Sequence, residues 1–385
     1  MQQRNRMQPD QFRESGAPLG ERKMAIELSG STVPLNQPRN RQGQRPGLRG
    51  GAAAALRAAL PKSYLLLVLL AIILVGSIVT PQFMTMHNAT NVVSFSCIFA
   101  ILAVGQFYVI LTGGIDLSVG AVLALSTVVA ALTLQAGVNG YVAAVVTLVA
   151  CALVGVGNGL MVVWLRIPPF IATLAMMSMV QGTSYIMQSR SLIAIDNADF
   201  VSLFSDGSVA DIPNPVLIFV AVTIAAAFCS RFTTFGRRLY AIGGNREAAR
   251  LSGLPVARDL YVTYTLSSLL AGLAGLVAAA QLLQGSSLIG RGYELDAIAA
   301  VVVGGASLVG GKGDPISCVI GVFVLATIIN IMNLMGISSE PQLIIKGAVI
   351  ALAVFLSSAG GVARISAILS KLFGGRGRVR ARAAE

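Results

Sequence analysis

The stretch YLLLVLLAIILVGSIVT at Tyr64–Thr80 is followed by VVSFSCIFAILAVGQFYVIL at Val92–Leu111 and by LSVGAVLALSTVVAALTL at Leu117–Leu134. No Lys, Arg, Asp or Glu stands between Lys62 and Asp116, and none between Asp116 and Arg166. A membrane span needs about 20 predominantly apolar residues, and uncharged runs of this length exceed what a buried core helix requires. They decide the fold class: an all-α, polytopic transmembrane bundle.

The rest of the chain agrees. Of 385 residues, 55% are hydrophobic and 11% charged, and the mean hydropathy is +0.77. A soluble domain carries roughly 25% charged residues to keep its surface wet, so most of this surface faces something other than water. Further apolar runs fall at Tyr141–Leu165, Phe170–Gln188, Val216–Ser230, Leu260–Leu283, Ala297–Val309, Pro315–Met335 and Leu343–Leu356. With the three above they predict about ten spans, and an even number places both termini on one side.

Basic residues set that side as cytoplasmic. With the N-terminus inside, the inner segments collect the N-terminal tail, Arg166, the central loop, Lys312 and the C-terminal tail, which hold 25 of the 28 Lys and Arg. Arg190 and Arg291 are assigned to the outside and Lys346 to the last span. The net charge of +12 is therefore a topology signal with some attraction to anionic membrane lipid, and it calls for no nucleic acid. Residues 1–60, rich in Gln, Arg, Pro and Gly, are too polar to bury a core and are expected to form a disordered basic cytoplasmic tail. The transmembrane domain is expected at 61–360 and a basic cytoplasmic tail at 361–385.

Cys97, Cys151, Cys229 and Cys318 lie singly in apolar runs, which fits small buried hydrophobes. His87 is the only histidine, so no metal site built on histidines is expected, and no cofactor. GGKG at Gly310–Gly313 is not a phosphate loop: GxxxxGK[ST] requires Gly six positions before the lysine and Ser or Thr after it. Here Ala306 and Gly313 occupy those places. The chain cannot hydrolyse ATP itself, and with no nucleophile–base pair in its spans it is not read as an enzyme.

Three segments carry the functional signal. After Ser230 the central loop, 231–259, reads RFTTFGRRLYAIGGNREAARLSGLPVARD. Asn245 is a good N-cap, Glu247 stands in the first turn where the helix dipole favours an acid, and Arg250 lies toward the end. Gly253 and Pro255 stop the helix, which leaves about two turns. The residues read either as a plain surface helix or as a docking knob for a cytoplasmic partner. LTGGIDLSVG at 111–120 joins the second and third spans. Its Gly113 and Gly114 allow an irregular turn, and its Asp116 is either a helix N-cap or an intramembrane gate. Gly304, Gly305, Gly310 and Gly311 surround a short apolar stretch at the end of the eighth run. Glycine-broken segments in both halves point to a transport pathway, or else to close helix packing. Glu294 and Asp296 are expected at the outer mouth, as a docking surface or an ordinary solvated loop. Lys346 should snorkel or face a polar interior rather than hold substrate.

GGNREAARLSG, together with LTGGIDLSVG and GYELDAIAAVVVGGASLVGGKGDP at 292–315, closely resembles the ribose-type permeases of bacterial ABC sugar importers, from about Pro61 to Ser358. The resemblance implies a coupling helix over 245–253, with Gly244, Asn245, Arg246, Glu247, Ala248, Ala249, Leu251, Ser252 and Gly253 meeting a cleft of a separate ATPase subunit. It also implies a periplasmic sugar-binding protein, a second copy of the permease and a place in the bacterial inner membrane. The solute would be a monosaccharide such as ribose, or a related hexose or polyol, moved by alternating access. An ion-coupled secondary sugar transporter is the alternative. It would need ionisable residues near the midplane, where only Lys346 qualifies and Asp116 lies near a boundary.

Overall fold

In the computed structural model, residues 48–189 and 191–357 are described, and the chain divides into two units, Met1–Gly51 and Ala52–Glu385. Residues 48–51 are the described part of the first unit. The described residues of the second are almost wholly helical. Its helices are α1 (Leu48–Val79), α2 (Met86–Leu111), α3 (Val119–Gln135), α4 (Gly140–Val163), α5 (Pro169–Gln188), the short α6 (Ala198–Val201) and α7 (Asn214–Phe232). There follow α8 (Thr234–Gly244), α9 (Arg246–Leu251), α10 (Val256–Leu282), α11 (Tyr293–Val303), α12 (Pro315–Leu334) and α13 (Ser339–Ser357). Two minimal antiparallel pairings, Ile193–Ala194 with Gln284–Gly285 and Ser208–Val209 with Ile212–Pro213, are the sheet among the described residues. The N-terminal tail up to residue 47, the C-terminal tail from 358 and Arg190 lie outside the described residues.

The helix starts follow local chemistry. The Thr85 hydroxyl accepts from Asn88 N at 3.3 Å, Asn139 Oδ1 from Tyr141 N at 2.9 Å, and Asp314 Oδ2 from Ser317 N at 3.2 Å. Proline opens α5, α7 and α12, where its missing N–H costs nothing. Among the described residues six helices, α2, α4, α5, α7, α10 and α12, are long and apolar enough to cross a membrane.

The eighth apolar run is helical only as α11, whose 11 residues reach about 16 Å at 1.5 Å per residue. That is about half of a 30 Å hydrocarbon core, so this helix alone is no full span. The physical reason lies upstream and downstream, where Gly292 and Gly305 both sit at positive φ, 87° and 86°, and end the helix early.

Two helices form the core. In α2 and α10, 78% and 67% of the apolar window is buried, against 22% in α5 and α7, so the former are central and the latter peripheral. They run antiparallel: a Cβ at Gly105 would lie 3.3 Å from Ser267 Cα, and Gln281 Nε2 donates to Ser94 O at 3.2 Å. The helix α4 packs against the other side of α10, Gly155 against Thr265 and Gly159 against Tyr261, where a Cβ would meet atoms at 2.6 Å. Lipid gives no hydrophobic drive between helices, so small residues that let backbones touch supply the contact.

Candidate functional site

The central loop folds as a cap on the basic end of the bundle. The Thr233 hydroxyl accepts from Gly236 N at 3.1 Å and starts α8. Asn245 Oδ1 accepts from Ala248 N at 2.9 Å and starts α9. The chain leaves α9 through Gly253 at φ 77°, a conformation a side chain would strain. Glu247 and Arg250 pair at 2.6 Å on the open face, each 64% exposed. The Arg250 hydrogen bond holds the Glu247 carboxyl below its ordinary range and raises the Arg250 guanidinium. Leu251 is 74% exposed, and Asn245, Arg246, Ala248, Ser252 and Gly253 are exposed beside it, while Ala249 is buried. Of the residues assigned to coupling, those of α9 and its flanks thus share one small solvent-facing knob.

That knob is fastened below. Arg238 of α8 grips Asp259 of α10 with two bonds, Nε at 2.6 Å and Nη2 at 2.9 Å, and Asp259 is 1% exposed. The Asp259 bond holds the Arg238 guanidinium above its usual range. Gly243 of α8 lies so close to the end of α2 that a Cβ there would collide with Leu111 O. Leu111 O also accepts from Gly311 N at 2.9 Å, and Gly113 and Gly310 touch through their main chains. Tyr240 Oη donates to Gly313 O at 2.8 Å. The last residues of α8, the end of α2 and the turn between α11 and α12 therefore meet in one glycine junction.

From this junction the chain turns back into the bundle. Residues 112–118 rise beside α2, and Asp116 meets Ser267 of α10, whose Oγ donates to Asp116 Oδ2 at 3.0 Å. Ser267 is 11 residues from the start of α10 and 15 from its end, about 16 Å and 22 Å along the axis. Asp116 is fully buried. Its Oδ1 accepts from Ser118 N at 2.9 Å and Ser118 Oγ at 2.6 Å. The Gln106 amide bridges the Asp116 main chain, NH₂ to O at 3.0 Å and Oε1 from N at 3.3 Å. Asn158 Nδ2 reaches Ser118 Oγ at 2.8 Å. With this many donors the carboxylate is fixed in place inside the bundle, two residues before Ser118, which is the N-cap of α3 in its stead.

A second segment enters from the opposite end. After α10, Ser286 N donates to Thr127 Oγ1 at 3.1 Å, and a Cβ at Gly290 would lie 2.7 Å from Gly120 O. Residues 284–292 thus descend along α3 until Glu294 stands against Gly120. The half-length α11 then continues to the basic end. The helix α5 braces both segments: Thr173 Oγ1 donates to Ile115 O at 3.1 Å and Gln181 Nε2 to Ser287 O at 2.6 Å. Two non-helical pieces, 112–118 before α3 and 284–292 before α11, run in opposite senses and meet inside the bundle.

Glu294 and Asp296 are both half-buried, Glu294 against Gly120. Asp296 pairs with Lys346 of α13 at 2.8 Å, which satisfies the lysine on a polar interior. The pair borders a cavity of about 510 Å³ between α2, α11, α12 and α13, with Phe99 and Tyr293 on its wall. Gly304 packs α11 on α12, where a Cβ would lie 2.6 Å from Cys318 Cα, and Gly305 faces open space. The two glycine pairs do not come together; Gly113 meets Gly310.

Sequence reading missed Gln106, Ser267, Asn158 and the Gly120–Gly290 contact. A signal existed: Gly114-Ile-Asp-Leu-Ser118 and Gly292-Tyr-Glu-Leu-Asp296 share glycine, acid and leucine at the same spacing, the first just before the 17-residue α3 and the second at the start of the 11-residue α11.

The family described as branched-chain amino acid transport system / permease component matches residues 88–354. The ribose import permease of Escherichia coli K12 is 42% identical over 296 residues, 76% of this chain and 92% of that protein. The D-allose transport system permease of the same organism is 37% identical over 295 residues, 76% of this chain and 89% of that protein. A probable ABC transporter permease of Sinorhizobium fredii is 34% identical over 297 residues, 75% and 86%. No solved structure matches the chain.

Proposed function

The chain belongs to the permease family described as branched-chain amino acid transport system permease components, and from that premise we propose that it is the membrane subunit of an ABC importer carrying a monosaccharide into the bacterial cytoplasm. It is a transport subunit of the inner membrane, not an enzyme, and the ATPase activity belongs to a partner. The observation that supports the mechanism is the fastening of an exposed six-residue helix, α9, to the glycine junction where both halves of the bundle end. A partner pressing on Glu247, Arg250 and Leu251 would move α8, and α8 has no slack against Leu111 and Gly311. The stroke would thereby reach the two re-entrant segments, whose meeting point around Asp116, Gly120 and Gly290 is the natural gate, with Gly113, Gly114, Gly304 and Gly305 as hinges.

In this reading α1–α5, α7 and α10–α13 are ten membrane segments, α3 and α11 being completed by the non-helical pieces before them. Both tails then face the cytoplasm, two copies form the pathway, membrane lipid surrounds them, and a periplasmic sugar-binding protein delivers solute at the outer face. The relatives are named for ribose import and D-allose transport, which makes a monosaccharide the proposed cargo. The ion-coupled alternative has no such support.

The test is reconstitution in vesicles with the ATPase and the binding protein, followed by D-ribose uptake. ATP-dependent accumulation supports the reading. Accumulation against a gradient by the chain alone, without a nucleotide-hydrolysing partner, overturns it.

A further inference from the structure

Arg291 presents an exposed guanidinium at a depth where lipid cannot receive it. It follows Gly290, which packs on Gly120 at the start of α3. Ser126 of α3 is level with Gly272 of α10, Oγ to O at 2.7 Å, and Gly120 is six residues nearer the basic end, about 9 Å. That puts the Arg291 main chain about 15 Å from the start of α10 and about 24 Å from its end, well inside the bundle. Yet Arg291 is exposed, and so are Leu288 at 58% and Leu295 at 54%, three positions before it and four after it. Among the described residues Arg291 takes part in no ion pair. Glu294, three residues on, is turned toward Gly120.

An arginine at that depth is costly unless it faces water or a polar partner. We propose that the side bearing Leu288, Arg291 and Leu295 is a wall of the solute pathway, and that the Arg291 guanidinium donates hydrogen bonds to the hydroxyls of the passing sugar. Five N–H donors in a rigid fork suit adjacent ring hydroxyls, and the two flanking leucines offer apolar surface to the C–H face of the ring. Gln181 and Gln188 of α5 fix Ser287 by hydrogen bonds to its carbonyl, amide and hydroxyl, so the wall is held rigid one residue before Leu288. This assignment rests on the import reading and adds to it a residue that contacts the cargo.

The experiment uses the full importer in vesicles. D-ribose uptake by the unaltered complex is measured first, and its absence would count against the import reading, not against this assignment. Arg291→Cys and, as a second position that removes no charge, Leu295→Cys are then exposed to a charged, water-soluble methanethiosulfonate. The expected result is modification of both at rates at least ten times the background of the native cysteines, slowed by saturating D-ribose and its binding protein. Arg291→Met should raise the KM for D-ribose uptake about tenfold while ATP-hydrolysis rates stay within twofold, and Arg291→Lys should recover part of the loss. Labelling by a membrane-soluble maleimide but not by the charged reagent would place this side against lipid and overturn the assignment. Unchanged D-ribose kinetics in Arg291→Met would equally overturn it.

Discussion

The main-chain nitrogen of Gly311 donates to the carbonyl of Leu111 at 2.9 Å, joining the last residue of α2 to the turn between α11 and α12. Leu111 O would be struck by any side chain at Gly243, so α8 rests on the same atom. Ordinarily the last carbonyls of a helix turn to water or to a cap; here one is spent on a tertiary bond. Three elements far apart in sequence are thus locked without side chains, which would be compressible where main chain is not.

Gly243→Val tests that lock. The added atoms have no space against Leu111 O, so α8 must lift from the junction. D-ribose uptake should fall more than tenfold with membrane levels within twofold of the parent, while ATP hydrolysis persists. Uptake at the parent rate would show that the contact transmits nothing.

The Arg238–Asp259 pair tests how α8 is held to α10. Arg238→Met strands a carboxylate that is 1% exposed, and breaking a buried pair costs about 3–5 kcal/mol. The thermal unfolding midpoint in detergent should drop in Arg238→Met and recover largely in Arg238→Met with Asp259→Leu. A drop that the double variant does not repair would mean that packing, not the stranded charge, governs the site.

Asp116 accepts three bonds from Ser118 and Ser267, so Asp116→Ala leaves donors buried and unmatched, at about 1–3 kcal/mol each. A purely structural carboxylate predicts lower thermal stability with uptake per folded protein unchanged. A gating carboxylate predicts, in addition, D-ribose leak without ATP, and vesicle efflux of labelled ribose distinguishes the two.

Glu247 is held below its ordinary value of 4.5 by Arg250, which fixes the sign of its pH dependence. A depressed carboxyl contributes its contact fully above the usual carboxylate range and loses it as pH falls through the lowered value. Sugar moved per ATP should therefore stay flat from pH 8 down to about 5 in the unaltered complex. In Arg250→Met the acid limb should shift upward; an unshifted limb would remove the pairing from the mechanism.

Much of the fold is legible in the sequence, because lipid leaves a direct compositional mark: Pro315–Met335 matches α12 to one residue, and Val92–Leu111 shares its end with α2, which starts six residues earlier. Caps are legible too, since Asn245 and Gly253 act locally. The re-entrant segments are not. Hydropathy averages over windows and cannot see that Gly120 and Gly290, lacking side chains, let two stretches touch inside the bundle. Glu294 and Asp296 therefore read as an outer loop in sequence, which shows neither the contact with Gly120 nor the pair with Lys346. Arg238–Asp259 spans 21 positions and leaves no local pattern at all.

The central claim is that α9 receives a partner's stroke and that the junction passes it to the pathway. The most direct measurement is D-ribose accumulated per ATP hydrolysed in vesicles holding the importer with Glu247→Lys and Gly253→Pro. The account predicts normal insertion and continuing hydrolysis with accumulation reduced at least tenfold. A normal ratio of sugar to ATP in that variant would contradict it.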